Sequence, residues 1–228
     1  MPGEARSNYI ELLTAEDKMI HQTIVVGPLE CNCALLACEK TKEAIIIDPG
    51  EQADKIIAAV EKAGLSVKYL VHTHAHFDHI GGTKGVREVL PAAICLHRAD
   101  EQIYQNLPLQ GKMFGFAFDA APPVEKWIED EETLLFGECR ATVIHTPGHS
   151  PGSICLRVRD EKEEKLFSGD TLFQMSIGRS DLWGGDQSQL LKSVRERIFT
   201  LDGEMPVYPG HGASTRIGDE KLHNPFFR

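Results

Sequence analysis

The sequence predicts an α/β (α+β) chain in which two β-sheets pack face to face and helices cover their outer sides. Three observations lead there. Short apolar runs recur along the 228 residues and alternate with segments of helical periodicity. Histidines and aspartates stand just past several of those runs. No internal repeat, low-complexity tract or Pro/Gly/Ser-rich linker interrupts the pattern, so one domain over 1–228 is expected, with 1–20 as a peripheral extension. Strands and helices of this kind bury their apolar faces by stacking in layers.

In order, Gln22–Val26, Cys33–Ala37 and Ala44–Ile47 read as strands that close at the turn Asp48-Pro49-Gly50. Ala53, Ile56, Ile57, Val60 and Ala63 fall at helical spacing, and Gly64 stands where a left-handed C-terminal residue is wanted. Lys68–His72 is the next strand, followed by a helix over Thr83–Leu90 and a strand at Ile94–His97. Further strands are expected at Ala141–His145, Ser153–Val158 and Lys165–Ser168, with the charged stretch Arg159–Glu164 as a solvated hairpin turn. Asp186 and Gln189 are spaced as a capping box ahead of Leu190, Leu191, Val194, Ile198 and Leu201, the apolar face of another helix.

The formal net charge of −10 argues against extended contact with nucleic acid or an anionic membrane, since both require basic surface. Met1 to Lys18 contain no apolar core of a secretory signal, and no apolar run reaches the roughly 18 residues that span a bilayer. Cys31, Cys33, Cys38, Cys95, Cys139 and Cys155 lie mostly within apolar runs and read as reduced, buried thiols, which implies the cytoplasm. A small-molecule substrate is therefore expected, and a cationic metal site inside an acidic protein could attract an anionic one.

The chemistry concentrates in His74-Ala75-His76-Phe77-Asp78-His79, four metal-capable side chains within six residues and directly after a strand. Imidazole and carboxylate suit zinc, iron or manganese, and the lack of thiolates argues against a closed structural zinc site. Thr146-Pro147-Gly148-His149, Ser168-Gly169-Asp170-Thr171 and Tyr208-Pro209-Gly210-His211 each place one more candidate ligand in a turn after an apolar run. His72 and His145 read as residues that pack or hydrogen-bond locally, or that support a ligand from behind. Cys31-Asn32-Cys33 lacks a second thiol pair and reads as strand rather than metal site.

These motifs, with Ile177-Gly178-Arg179-Ser180-Asp181-Leu182 and the terminal Asn224-Pro225-Phe226-Phe227, resemble the metallo-β-lactamase-fold hydrolases of the glyoxalase II (hydroxyacylglutathione hydrolase) type. The resemblance runs from about Ile24 to the C-terminus. It implies a four-layer αβ/βα sandwich with two divalent metal ions at the edge between the sheets: zinc, with iron and manganese also accommodated. It assigns His74, His76 and His149 to the first ion, Asp78, His79 and His211 to the second, and Asp170 as the bridge. It implies hydrolysis of a thioester such as S-lactoylglutathione by a hydroxide shared between the ions, with Asp78 and Asp170 as catalytic carboxylates. Arg179 is placed to contact the glutathione part or to pair with Asp181. The chain ends 17 residues after His211, which resembles the short, single-domain bacterial members rather than those with a C-terminal helical domain.

Two other readings compete. One is a persulfide dioxygenase of the same superfamily using a single iron; the other is a metal-binding module without chemistry. A β-lactamase of the common zinc type would carry a cysteine where Asp170 stands. Met113-Phe114-Gly115-Phe116-Ala117-Phe118 is an aromatic stretch with three open roles: cover over the active site, contact between subunits of a homo-oligomer, or core packing.

Overall fold

The computed structural model describes residues 19–160 and 163–228. The expected N-terminal extension lies outside them except for Met19 and Ile20, and there the boundary is corrected. Both begin the first strand, because Met19 is buried and its N–H donates to Asp160 Oδ2 at 3.0 Å.

The first sheet has the spatial order β1 (Met19–Val26), β2 (Cys31–Cys38), β3 (Glu43–Ile47), β4 (Ser66–Val71), β5 (Ala93–His97), β6 (Lys126–Ile128). Its first three strands are antiparallel and the rest run parallel to β3. Helical crossovers serve the parallel part: α1 (Ala53–Ala63), then α2 (Phe77–Ile80) with α3 (Thr83–Val89), then α4 (Glu101–Gln105) with α5 (Leu107–Phe114).

In the second half come β7 (Thr133–Phe136), β8 (Cys139–His145), β9 (Ile154–Arg159), β10 (Glu164–Gly169), and a small ribbon of β11 (Leu172–Phe173) and β12 (Ser176–Ile177). After α6 (Gln187–Ser193) follow β13 (Pro206–Pro209), β14 (Thr215–Arg216) and α7 (Ile217–His223). The second sheet is ordered β14-β13-β10-β9-β8-β7.

Side-chain alternation shows why these become layers. In β2, Ala34, Leu36 and Cys38 enter a core shared with Phe136, Val143, Leu156 and Phe167 of the second sheet. The intervening Cys33, Leu35 and Ala37 face Ile56 and Val60 of α1 and Val86 of α3. A strand buried on both faces must be apolar at every position, as Cys33–Cys38 is. The second sheet does the same: Leu156 and Val158 point to the inter-sheet core, while Cys155 packs with Leu190, Val194 and Ile198. The result is the expected αβ/βα sandwich.

Most of the expected elements are present within a residue or two. Gly64 closes α1 in the left-handed conformation, φ 63°, its N–H turned back to Glu61 O. Arg159 pairs with Glu164, so the hairpin connection is shorter than the charged stretch suggested; 161–162 lie outside the described residues. The Asp186 capping box is half formed. Its Oδ1 accepts from Gln189 N at 2.9 Å, but its own N–H donates to Gly148 O rather than to the Gln189 side chain. The helix expected through Leu201 is α6 followed by a π-helical turn over Val194–Ile198. All six cysteines are buried and unpaired.

Candidate metal centre

Four turns carry the seven expected donors to one place. β4 stops at Val71, and 72–76 run as an irregular loop into α2, so His74 and His76 project from the loop while Asp78 and His79 project from the helix. The β8–β9 turn supplies His149, the end of β10 supplies Asp170, and the end of β13 supplies His211. Gly210 permits this convergence, since a Cβ there would overlap Asp170 Oδ1 and crowd His79 Cε1.

Two triads result. In the first, His149 Nε2 lies 3.1 Å from His74 Nε2 and 2.9 Å from His76 Nδ1. In the second, His211 Nε2 lies 3.1 Å from both His79 Nε2 and Asp78 Oδ2. Asp170 stands between them, Oδ2 at 3.6 Å from His149 Nε2 and Oδ1 at 3.4 Å from His79 Nε2.

The far side of four rings fixes what the near side offers. His149 Nδ1 donates to Arg179 O at 2.6 Å and His211 Nδ1 to Leu29 O at 2.9 Å. His79 Nδ1 donates to Asp48 Oδ2 at 3.0 Å. His74 Nδ1 meets Thr73 Oγ1 at 3.1 Å, and that hydroxyl spends its own proton on Asp48 Oδ2. Carbonyls and carboxylates only accept, so Nδ1 of each of these rings carries a hydrogen, and in the neutral rings the Nε2 lone pairs face one another across about 3 Å. Opposed lone pairs at that range repel unless a cation lies between them. Asp170 Oδ1, buried and without a hydrogen-bond partner, faces the same space. The donor set therefore fits two divalent cations of the imidazole- and carboxylate-binding kind.

Electrostatics agree. Burial, reinforced by the neighbouring imidazoles, lowers the pKa of His74 and brings that of His76 down to about 3, keeping both neutral and able to ligate. Burial works against charge on His79, yet Cys31, Asp170, Asp78 and Asp48 raise its pKa well above the usual value. Asp78 is held low, against burial, by His79 and His211. The second triad thus demands positive charge, which a cation supplies without borrowing protons.

Behind the donors is a scaffold of buried polar groups. Asp100 takes Ala75 N at 2.9 Å, Ser150 Oγ at 2.7 Å and Gly152 N at 2.6 Å, tying the His74–His76 loop to the His149 turn. Gln110 accepts from Phe77 N and donates to Ala75 O, fixing the start of α2 from α5. In front of the donors opens a cavity of about 390 Å³ whose lining includes His76, Asp78, His149 and Asp170 together with Met113, Phe114, Arg179 and Trp183.

Comparison with known proteins decides the family. The sequence profile described as Metallo-beta-lactamase superfamily matches residues 26–211. The chain belongs to the metallo-beta-lactamase superfamily. A hydroxyacylglutathione hydrolase, GloC, of Haemophilus influenzae is 36% identical over 90% of this chain and 96% of its own length. Among solved structures, the BLEG-1 B3 metallo-beta-lactamase superposes with a TM-score of 0.84 at 38% identity, covering 91% of this chain and 99% of that one. TTHA1623 in a di-iron-bound form gives 0.81 at 36%, over 90% and 99%. ETHE1 of Myxococcus xanthus gives 0.75 at 28%, over 90% and 83%.

Within this superfamily frame, the other expected residues find distinct places. Arg179 reaches the cavity, but its guanidinium forms two hydrogen bonds with Asp181, at 2.7 and 2.9 Å. His72 is buried just past β4 with Nε2 3.3 Å from Thr83 Oγ1, and burial brings its pKa down to about 4. His145 stacks on His97 with centroids 4.0 Å apart. Cys31 lies behind the second triad, Sγ 3.7 Å from His79 Nδ1, a supporting position that its place in a strand did not suggest. In the aromatic stretch Met113 and Phe114 line the cavity, and Phe114, Phe116 and Phe118 all pack against Phe77.

Asp48, Thr73, Asp100 and Gln110 escaped the sequence reading. Asp48 was legible only as a turn former before Pro49-Gly50, and a lone buried Gln on a helix carries no local signature. The one available signal was position: Asp48 and Asp100 both stand just past the C-terminal ends of parallel strands, β3 and β5, where sites of layered α/β proteins collect.

Proposed function

We propose that this superfamily member is a metal-dependent thioester hydrolase acting on S-acylglutathione, S-lactoylglutathione among its substrates. The observation that carries the reading is the pair of donor triads with Asp170 between them, opening on a cavity that Arg179 also lines. The 36% identity to the GloC hydroxyacylglutathione hydrolase supports the same substrate class.

Two divalent cations bound there would acidify water to near-neutral pKa and polarise the thioester carbonyl. Asp78, its Oδ2 facing His211 at the cavity wall, is placed to accept a hydrogen bond from the attacking water and orient it. Asp170 holds the two triads at fixed separation. Arg179 offers a planar two-pronged donor to a substrate carboxylate once it exchanges Asp181 for the ligand. The thiolate leaves without needing a proton, so no additional acid is required of the chain.

The test is a panel on purified protein of measured metal content: S-lactoylglutathione cleavage, oxygen uptake with glutathione persulfide, and β-lactam opening. Thioester cleavage abolished by chelation is the expected result. Oxygen uptake with one iron per chain would instead establish the persulfide dioxygenase reading, and β-lactam opening alone would ally the chain with BLEG-1.

A further inference from the structure

A second cavity, of about 270 Å³, adjoins the first and is lined by Ala99, Gln102, Ile103, Asn106, Leu109, Pro151, Trp183 and Gly184. Trp183 lines both cavities. Leu109 lines the second cavity and Met113 the first; they stand four residues apart on α5 and so share one helix face, about 6 Å apart along its axis. Leu109, Met113, Phe114 and Trp183 are all exposed, with 50, 60, 44 and 40% of their surface open, as is Leu29 at the cavity rim. Large apolar side chains gathered around a polar site in this way mark a binding surface rather than random exposure.

We propose that this trough, running from the metal centre between α5 and Trp183 into the second cavity, is the acyl-side subsite and takes thioesters with extended apolar acyl chains. The inference rests on the thioesterase reading above and adds its acyl specificity. Charge decides which arm of the substrate lies there. Among the described residues, no charged side chain lines the second cavity, whereas Arg179 lines the first. The peptide arm of glutathione carries carboxylates and belongs beside Arg179; an alkyl chain belongs against Leu109, Met113 and Trp183. Gln102 and Asn106 are the polar side chains in the lining of the second cavity.

The experiment uses the full chain with its metals and two ligand series. S-alkylglutathiones from methyl to octyl are thioethers, so their binding is read without any hydrolysis. S-acylglutathiones from acetyl to octanoyl, with lactoyl alongside, read kcat/KM. Transfer of a methylene out of water predicts affinity and kcat/KM rising about twofold to fourfold per added carbon until the trough is full. Leu109→Gln and Trp183→Gln, both at exposed positions, should flatten that dependence while circular dichroism and metal content stay unchanged. A flat S-alkyl series, or a slope untouched by both variants, overturns the subsite. Tighter binding of longer S-alkyl chains with no thioester cleavage would uphold the trough and sink the thioesterase reading instead.

Discussion

Asp48 Oδ2 stands 3.0 Å from His79 Nδ1, and the same carboxylate takes Thr73 N at 2.7 Å and Thr73 Oγ1 at 2.6 Å. One buried side chain therefore orients His79 directly and His74 through a hydroxyl. Asp48→Asn keeps the shape and removes the charge. Metal affinity should fall by about 10- to 100-fold, as expected for loss of a carboxylate partner behind a ligating imidazole. Chelator competition reads this, and unchanged affinity would contradict the orienting role.

Asp170 is the carboxylate that faces both triads, Oδ1 toward His79 and Oδ2 toward His149. Asp170→Ala should lower metal stoichiometry and abolish hydrolysis together. Two bound ions with full activity in that variant would remove Asp170 from the bridge.

Asp100 satisfies two backbone N–H groups and one hydroxyl in a buried setting. Asp100→Ala orphans the two N–H groups, while Ser150 Oγ keeps Ser153 Oγ at 2.7 Å as a partner. At roughly 1–3 kcal/mol for a buried group left unpaired, with water able to refill part of the gap, a loss of about 2–4 kcal/mol in unfolding free energy is expected. Urea unfolding of the metal-free protein isolates this cost from metal binding.

Arg179 and Asp181 should move KM in opposite directions. Arg179→Ala removes the donor for a substrate carboxylate and should raise KM for glutathione thioesters about tenfold with metal content unchanged. Asp181→Asn frees the guanidinium and should lower KM. The Arg179 carbonyl that holds His149 survives both changes. Parallel loss of metal in Arg179→Ala would show that the side chain acts structurally.

A stability–pH relation follows from His21, which packs edge-on against Phe167 and Tyr208 of the second sheet on the face of β1 turned toward that sheet. Burial, helped by Lys165, brings its pKa down to about 4 from the ordinary 6.5. A base depressed in the folded state contributes its full stability above pH 6.5 and loses it as pH falls toward 4. Because the ring is partly exposed, the loss should be about 1–2 kcal/mol rather than the full value of the shift. Thermal melts of His21→Phe between pH 7 and 4.5 should show a shallower decline than the wild type.

The layers were legible because burial on both faces leaves a continuous apolar run, as at Cys33–Cys38, and burial on one leaves helical spacing, as in α1. The donors were legible because liganding needs particular atoms at the ends of strands. Short elements were not: β6, β11, β12 and β14 are held by neighbours rather than by their own periodicity, and α4 and α5 are too brief to show an apolar face. The supporting shell was hidden for a different reason. Asp48 and Asp100 act through partners 25 to 52 residues away, a separation no local pattern encodes.

Each sheet is made from one uninterrupted stretch of chain, 19–128 for the first and 133–216 for the second. The donors divide the same way, four from the first stretch and three from the second. During synthesis the leading half can assemble its sheet while holding only an open set of ligands, and neither triad closes before the trailing half docks. A nascent or truncated chain that lacks the trailing half therefore holds no complete triad of donors.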